Sequence, residues 1–235
     1  MQIDPRINLA ALRDVFSRFG RLHVPGFLDA ASARQLYGTM LDPNLPWQMH
    51  YNDGDAVLDV PAHQVDALSA EDRTALRHAI NQRARDRFQY CFDYFPLSDA
   101  FGRDEHLDLP VMAAYRLMKS TAVIDFARRV TGLSAIRTAD AQATRYRSGD
   151  FLTAHDGRDD SRGRLVAYVL NLTPNWRTDW GGLLQFLASD GHVAEAYVPT
   201  FNALNIFRVP RVHSVSYVTP FAGQPRFSIT GWFRR

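Results

Sequence analysis

Residues 146–157 read YRSGDFLTAHDG. Within them Phe151–His155 is a short β-prone run bounded by Gly149-Asp150 and Asp156-Gly157, so it reads as a strand that ends on a histidine. A second histidine, His213, lies in the β-prone segment RVPRVHSVSY. Two histidines from separate strands suit a non-haem Fe(II) centre, whose usual protein ligands are two histidines and one carboxylate on one face of the metal. Side chains at i and i+2 of an extended segment point the same way, so the carboxylate would sit two residues after the first histidine. Gly157 occupies that position. In a metal site built here, the glycine leaves one coordination position open. Asp156 is expected to point to the opposite face, and Asp159 and Asp160 lie in a loop that would fix a ligand poorly.

Working outward, the texture from about Ala135 is that of a β-protein. Short runs alternate with Gly, Pro, Asn and Asp: Phe151–His155, Leu165–Leu172, Leu183–Leu187, Val193–Val198, Ala203–Val209, Val212–Val218 and Phe227–Phe233. Many short strands in succession predict a sandwich or barrel. The first half reads mostly helical. Leu9, Leu12, Phe16 and Phe19 recur at helical spacing before Gly20, and a second helix follows Asp29. Ser69 to Asp72 resembles a capping box that opens a long helix with Leu76, Ile80, Ala84 and Phe88 on its buried side. Pro110 suits the first turn of another helix, and one more spans Thr121 to Val130 and stops at Thr131-Gly132. The expectation is one α+β domain over 1–235, with 1–134 as mainly helical support and 135–235 as the β-core.

Arg226, in PRFSITGWF, follows His213 on a later strand. An arginine on a barrel's inner face needs an anionic partner, because burying an unpaired charge is costly. Its planar fork suits a carboxylate, from a structural ion pair or from a bound dicarboxylate. Such a dicarboxylate could chelate iron at one end and pair with Arg226 at the other. Tyr146 and Ser228 could donate hydrogen bonds to the same ligand, although Tyr146 also suits plain core packing.

Composition narrows the class. Apolar and charged residues, at 46% and 22%, are in the ordinary range for a globular domain, and a net charge of +2 carries no nucleic-acid or membrane footprint. The basic run Arg83–Arg87 is broken by Asp86 and reads as a solvated helix face. Cys91 is the single cysteine, which excludes an internal disulfide framework and any multi-cysteine metal site. No signal peptide and no stretch of membrane-spanning length is legible, so a cytoplasmic location is the default expectation.

In order along the chain, Tyr146 with Gly149-Asp150-Phe151-Leu152, His155, the Leu165–Leu172 run, Trp180-Gly181-Gly182, Asn202, His213 with Val215, and Arg226 with Ser228 and Trp232 resemble the Fe(II)/2-oxoglutarate-dependent oxygenases, particularly the prolyl 4-hydroxylase-like branch. The resemblance covers about the last ninety residues; the first half resembles the family's helical support more loosely. It implies a double-stranded β-helix (jelly-roll) core buttressed by N-terminal helices. It also implies His155 and His213 as Fe(II) ligands, Arg226 as the 2-oxoglutarate clamp, and Tyr146 as a co-substrate contact. The implied reaction uses O2 and 2-oxoglutarate to break a substrate C–H bond, with succinate and CO2 as co-products.

Gly157 departs from that pattern, which has aspartate there. The Fe(II)/2-oxoglutarate halogenases carry glycine or alanine at this place, where chloride or bromide can supply both the ligand and its charge. Halogenation is therefore the favoured expectation, and a hydroxylase that has lost its carboxylate is the main alternative. A non-catalytic module that binds a small anion or peptide is the third. The substrate, small molecule or peptide, is not legible, nor is the oligomeric state. The remaining histidines, His23, His50, His63, His78, His106 and His192, read as surface or core residues. Trp47, Tyr51 and Phe95 could line a substrate pocket, with core packing as the commoner role. Trp180-Gly181-Gly182 reads as a turn, and Asp156–Arg164 as a lid over the metal or a solvated loop.

Overall fold

In the computed structural model the backbone is described over residues 1–235, together with every side chain except that of Asp160. The chain opens with helix α1 (Leu9–Phe19), strand β1 (Arg21–Pro25), α2 (Ala30–Met40), the hairpin β2 (Gln48–Asp53) and β3 (Ala56–Pro61), then α3 (Ala62–Asp66) and α4 (Ala70–Arg83). Next come β4 (Tyr90–Phe95), α5 (Leu97–Gly102), α6 (Met112–Met118) and α7 (Thr121–Thr131). The remainder is β-structure: β5 (Thr138–Ala139), β6 (Gln142–Tyr146), β7 (Phe151–His155), β8 (Arg164–Asn171), β9 (Leu184–Leu187), β10 (Val193–Tyr197), β11 (Ala203–Arg208), β12 (His213–Val215) and β13 (Arg226–Arg234).

The helix boundaries follow local chemistry. Side-chain oxygens of Asn8, Asp29, Ser69 and Ser120 accept otherwise unpaired amides in the first turns of α1, α2, α4 and α7. Gly20 and Gly132 end α1 and α7 in the left-handed conformation. α4 stops at Arg83, short of the expectation, because its cap falls at Ala84. Phe88 therefore lies outside the helix, where it is exposed rather than buried. α6 begins at Met112, after a turn that contains Pro110.

The strands pair antiparallel in the order β1-β11-β8-β13-β6-β4-β7-β12-β9-β10. This path curls into a nearly closed jelly-roll barrel, and an ion pair between Arg21 on β1 and Glu195 on β10 ties its two ends. The larger core cluster packs α1, α2, α5, α6 and α7 against the sheet, with Phe27, Leu36, Met118, Val130, Ile206 and Phe233 all buried. Burying these faces is the main favourable term in folding.

The helical reading of the first half omitted four strands, and one of them matters for the site. β4 sits between β6 and β7 and bridges them. β2 and β3 extend the sheet beyond β4. Among the described residues no helix is long and apolar enough to cross a membrane.

Candidate active site

β7 and β12 pair through His155↔His213 and Leu152↔Val215. Two steps along β12 therefore span three along β7, which is a β-bulge. Strict alternation would put Leu152 and His155 on opposite faces. The bulge turns His155 onto the face of Leu152 and His213, as bulges near functional sites do. The two imidazole centroids end 4.1 Å apart.

Each ring is oriented by a backbone carbonyl. Nδ1 of His155 lies 3.2 Å from the Thr153 oxygen, and Nδ1 of His213 lies 2.7 Å from the Arg211 oxygen. These contacts assign the N–H to Nδ1 and leave the Nε2 lone pairs for a ligand. Burial lowers both pKa values; His213, which also faces the charge of His155, is pushed down to about 3. The neutral, metal-binding form of both rings is thus favoured. Phe207 packs 4.6 Å from His213 and Phe88 5.2 Å from His155, centroid to centroid.

Gly157 is buried, with φ +72°. A Cβ built there would stand 3.3 Å from Cε1 of His213, the carbon beside its Nε2, and 3.3 Å from Cγ1 of Val209. The position thus faces the edge of the His213 ring, from a left-handed turn just past the end of β7 rather than from an extended segment, and the glycine leaves that place without a side chain. Asp156 does not replace it: its carboxylate accepts the Arg158 amide at 2.9 Å and is 47% exposed. Asp159 is engaged by Ser161, Arg162 and Arg164, while the side chain of Asp160 lies outside the described residues. Among the described residues no group of three His, Cys, Asp or Glu could hold a metal.

Arg226 is 1% exposed, yet two of its nitrogens, Nε and Nη1, have no hydrogen-bond partner. Its remaining contacts are a long bond from Nη2 to Oδ1 of Asn171 (3.3 Å) and the Tyr146 ring, 5.1 Å from Cζ. Tyr146 stands opposite Arg226 across β6 and β13 and is itself buried. Burial lowers the Arg226 pKa and raises that of Tyr146. An unmatched, fully buried guanidinium calls for an anion. Ser228 lies on the same face, but its hydroxyl is already 2.8 Å from that of Thr144.

One cross-strand row joins these groups. Arg226 faces Tyr146; Phe92 on β4 stacks on Tyr146 at 4.8 Å; His50 on β2 pairs with Phe92; and Asp59 on β3 pairs with His50. Tyr90, Phe92, Tyr146, Val215 and Val218 form one buried cluster, with Leu152 packed on it. The face that carries His155 and His213 therefore runs into the face that carries Arg226. Gly182 abuts the Arg226 stem, since a Cβ there would stand 3.3 Å from its Cδ. Trp180-Gly181-Gly182 is a turn, and Trp47, Tyr51 and Phe95 belong to the core.

The donor set fits a divalent metal with two imidazole ligands, and the orphaned guanidinium fits the far carboxylate of a dicarboxylate. Sequence reasoning missed Phe92, Tyr90 and Asn171. The alternation in YCFDYF is the available signal for the first two.

Residues 141–234 match the sequence model of the 2OG-Fe(II) oxygenase superfamily. Prolyl 3-hydroxylase OGFOD1 of Mus musculus is 35% identical over 112 residues, which are 45% of this chain and 20% of the mouse protein. The chain thus spans about a fifth of the length of that relative. A Pseudomonas putida prolyl-4-hydroxylase shares the fold with a TM-score of 0.56 at 22% identity, over 100% of this chain and 95% of that one. A Trichoplax adhaerens prolyl hydroxylase, solved with a hypoxia inducible factor peptide fragment, gives 0.60 at 16% identity, over 96% and 88% of the two chains. Residues 141–234 are thus similar in sequence to the 2OG-Fe(II) oxygenase superfamily, and the chain shares its fold with solved prolyl hydroxylases.

Proposed function

We propose that this chain is an Fe(II)- and 2-oxoglutarate-dependent oxidoreductase that cleaves a substrate C–H bond, and that Gly157 favours halogenation. The observation that carries the co-substrate assignment is Arg226, buried with two unpartnered nitrogens at the inner end of the aromatic row. His155 and His213 would hold iron through Nε2. When bound, iron with 2-oxoglutarate and O2 supplies the oxidising power, with succinate and CO2 as co-products. Arg226 would grip the distal carboxylate of 2-oxoglutarate, and Tyr146 would cover it. The Tyr90–Phe92–Tyr146 cluster keeps water from that ion pair and so strengthens it. Ser228 keeps its place on the same strand face as a polar neighbour whose hydroxyl is shared with Thr144.

Two observations support the halide reading. Position 157 faces the edge of His213 with no side chain, and no described acid takes its place. Its φ of +72° also suits glycine better than a residue with a side chain, so the loop is built around the absence. A chloride or bromide would supply the missing negative charge. Hydroxylation is the second reading, favoured by the likeness to a prolyl 3-hydroxylase. Incubating the enzyme with Fe(II), 2-oxoglutarate, O2 and candidate peptides or small molecules, with and without chloride or bromide, separates the two by product mass. Halide-dependent incorporation of chlorine or bromine is expected. An oxygenated product indifferent to halide would remove the halogenase reading, and no succinate with any substrate would remove the oxidoreductase reading.

A further inference from the structure

A line of rings leaves the histidine pair toward the β2–β3 hairpin. Phe88 lies 5.2 Å from His155; Tyr90 lies 5.6 Å from Phe88; His50 lies 4.6 Å from Tyr90; and Tyr94 lies 4.4 Å from His50. The line ends on an acid. Asp59 accepts the Tyr94 hydroxyl at 2.8 Å on one oxygen and sits 2.5 Å from Nδ1 of His50 on the other. Phe88 and Asp59 are exposed and His50 and Tyr94 are partly so, while Tyr90 between them is buried, so the line reaches the surface at its two ends.

Residues 48–61 include Asp53, Asp55 and Asp59 and no lysine or arginine; Asp53 is paired with Arg83 from α4, whereas the partners of the Asp59 carboxylate are His50 and Tyr94. With Nδ1–H donated to Asp59, Nε2 of His50 presents a lone pair backed by a carboxylate. That pairing recognises a cationic N–H donor. The partly exposed Tyr94 ring beside His50 adds a second attraction for a cation.

Length decides the kind of molecule. β3, β2, β4 and β7 are successive neighbours, and the register sets His155 five residues along β7 from the row of Asp59, so three strand spacings across and five residues along put them about 20 Å apart. No single amino-acid side chain bridges that distance. An extended polypeptide advances about 3.3 Å per residue and bridges it in roughly six.

From this we infer a polypeptide substrate that carries an arginine or lysine about six residues from the residue oxidised, its cation on the Asp59–His50 pair and an intervening residue on the exposed Phe88 ring. The inference rests on the assignment of His155 and His213 as the reaction centre. Aliphatic or aromatic side chains between the two positions suit the rings, whereas acidic ones near the cation would be repelled by Asp59.

The test is a selection from random phage-displayed nonapeptides on metal-free protein, run in parallel on the wild type and Asp59→Asn. Selected peptides are then synthesised with each arginine replaced by citrulline, and agmatine serves as a small-cation competitor. The wild type should enrich peptides with a basic residue, and fluorescence anisotropy should show about tenfold weaker binding for the citrulline peptide and for Asp59→Asn. Asp59 is exposed and asparagine is isosteric, so folding should be retained, with circular dichroism as the check. Tyr94→Phe, which removes one bond to Asp59 but keeps the ring, should weaken binding less. Selected peptides without a basic residue, or bound equally by Asp59→Asn, would overturn the inference. Agmatine binding as tightly as the peptides would overturn its polypeptide part. Asp59-dependent binding without any succinate formation would instead locate the failure in the metal-site assignment.

Discussion

Replacing Arg226 with methionine should stabilise the ligand-free protein and abolish its response to 2-oxoglutarate. The guanidinium is 1% exposed and leaves Nε and Nη1 unpaired. Each unsatisfied buried nitrogen costs about 1–3 kcal/mol. The contact with Tyr146 and the long bond to Asn171 return part of that. Methionine keeps much of the apolar stem, so the net gain should be about 1–2 kcal/mol, in line with buried charges replaced by packed apolar groups. For a chain of this size that raises Tm by about 2–8 °C. With manganese(II) and 2-oxoglutarate at a hundred times Kd, the wild type should gain about 2.7 kcal/mol and the variant nothing, so the order of stabilities reverses. Thermal denaturation followed by circular dichroism, with and without 2-oxoglutarate, reads both effects. A variant that loses about 2 kcal/mol or more without ligand, yet still responds to 2-oxoglutarate, would refute the argument and make Arg226 a structural residue.

Other outcomes follow from the same geometry. Gly157→Asp should raise hydroxylation and abolish halide incorporation, with a stability loss of about 1–2 kcal/mol from the left-handed backbone; an unchanged product ratio would show that position 157 does not control the outcome. In metal-free protein folded His213 takes its proton only near pH 3, whereas the unfolded imidazole takes it near about 6.5. Stability should therefore fall as pH is lowered through that window, and His213→Phe should flatten the fall in urea denaturation; equal slopes would contradict the burial of a neutral ring. Asp150, raised to about 6 chiefly by burial, opposes this by holding a proton in the folded state, so Asp150→Asn should steepen the loss on acidification. Gly231→Ala should cost about 1–3 kcal/mol or prevent folding, because its Cβ would meet the Asp140 carbonyl at 2.2 Å; wild-type stability in a chemical melt would contradict the close approach of β13 to that loop.

The C-terminal strands were legible because each is a short apolar run with its own turn residues. Phe151–His155 and Ala203–Val209 match β7 and β11 to within a residue. The residues proposed to bind metal and co-substrate stood out in the sequence because histidine and arginine need special partners when buried, and that need is local to the residue. β2 and β4 were not read, although Met49 and Tyr51 alternate with polar neighbours, because the helical signals around them dominated. The bulge that turns His155 toward His213 depends on the register between two strands far apart in sequence, which periodicity does not carry. The Asp59–His50–Tyr94 group was invisible for the same reason: its members lie on three strands and meet only through pairing. His50, read as an ordinary surface or core residue, has three ring neighbours and an acid in the folded chain.

A crystal grown without oxygen and soaked in Fe(II), 2-oxoglutarate and bromide, with diffraction collected at the iron and bromine edges, tests the central claim most directly. The account predicts iron on His155 and His213, a carboxylate of 2-oxoglutarate on Arg226, and a bromine peak beside Gly157. Iron ligated by a carboxylate from the Asp156–Asp160 loop, with no bromine near it, would contradict the open position, and 2-oxoglutarate lying away from Arg226 would contradict the clamp.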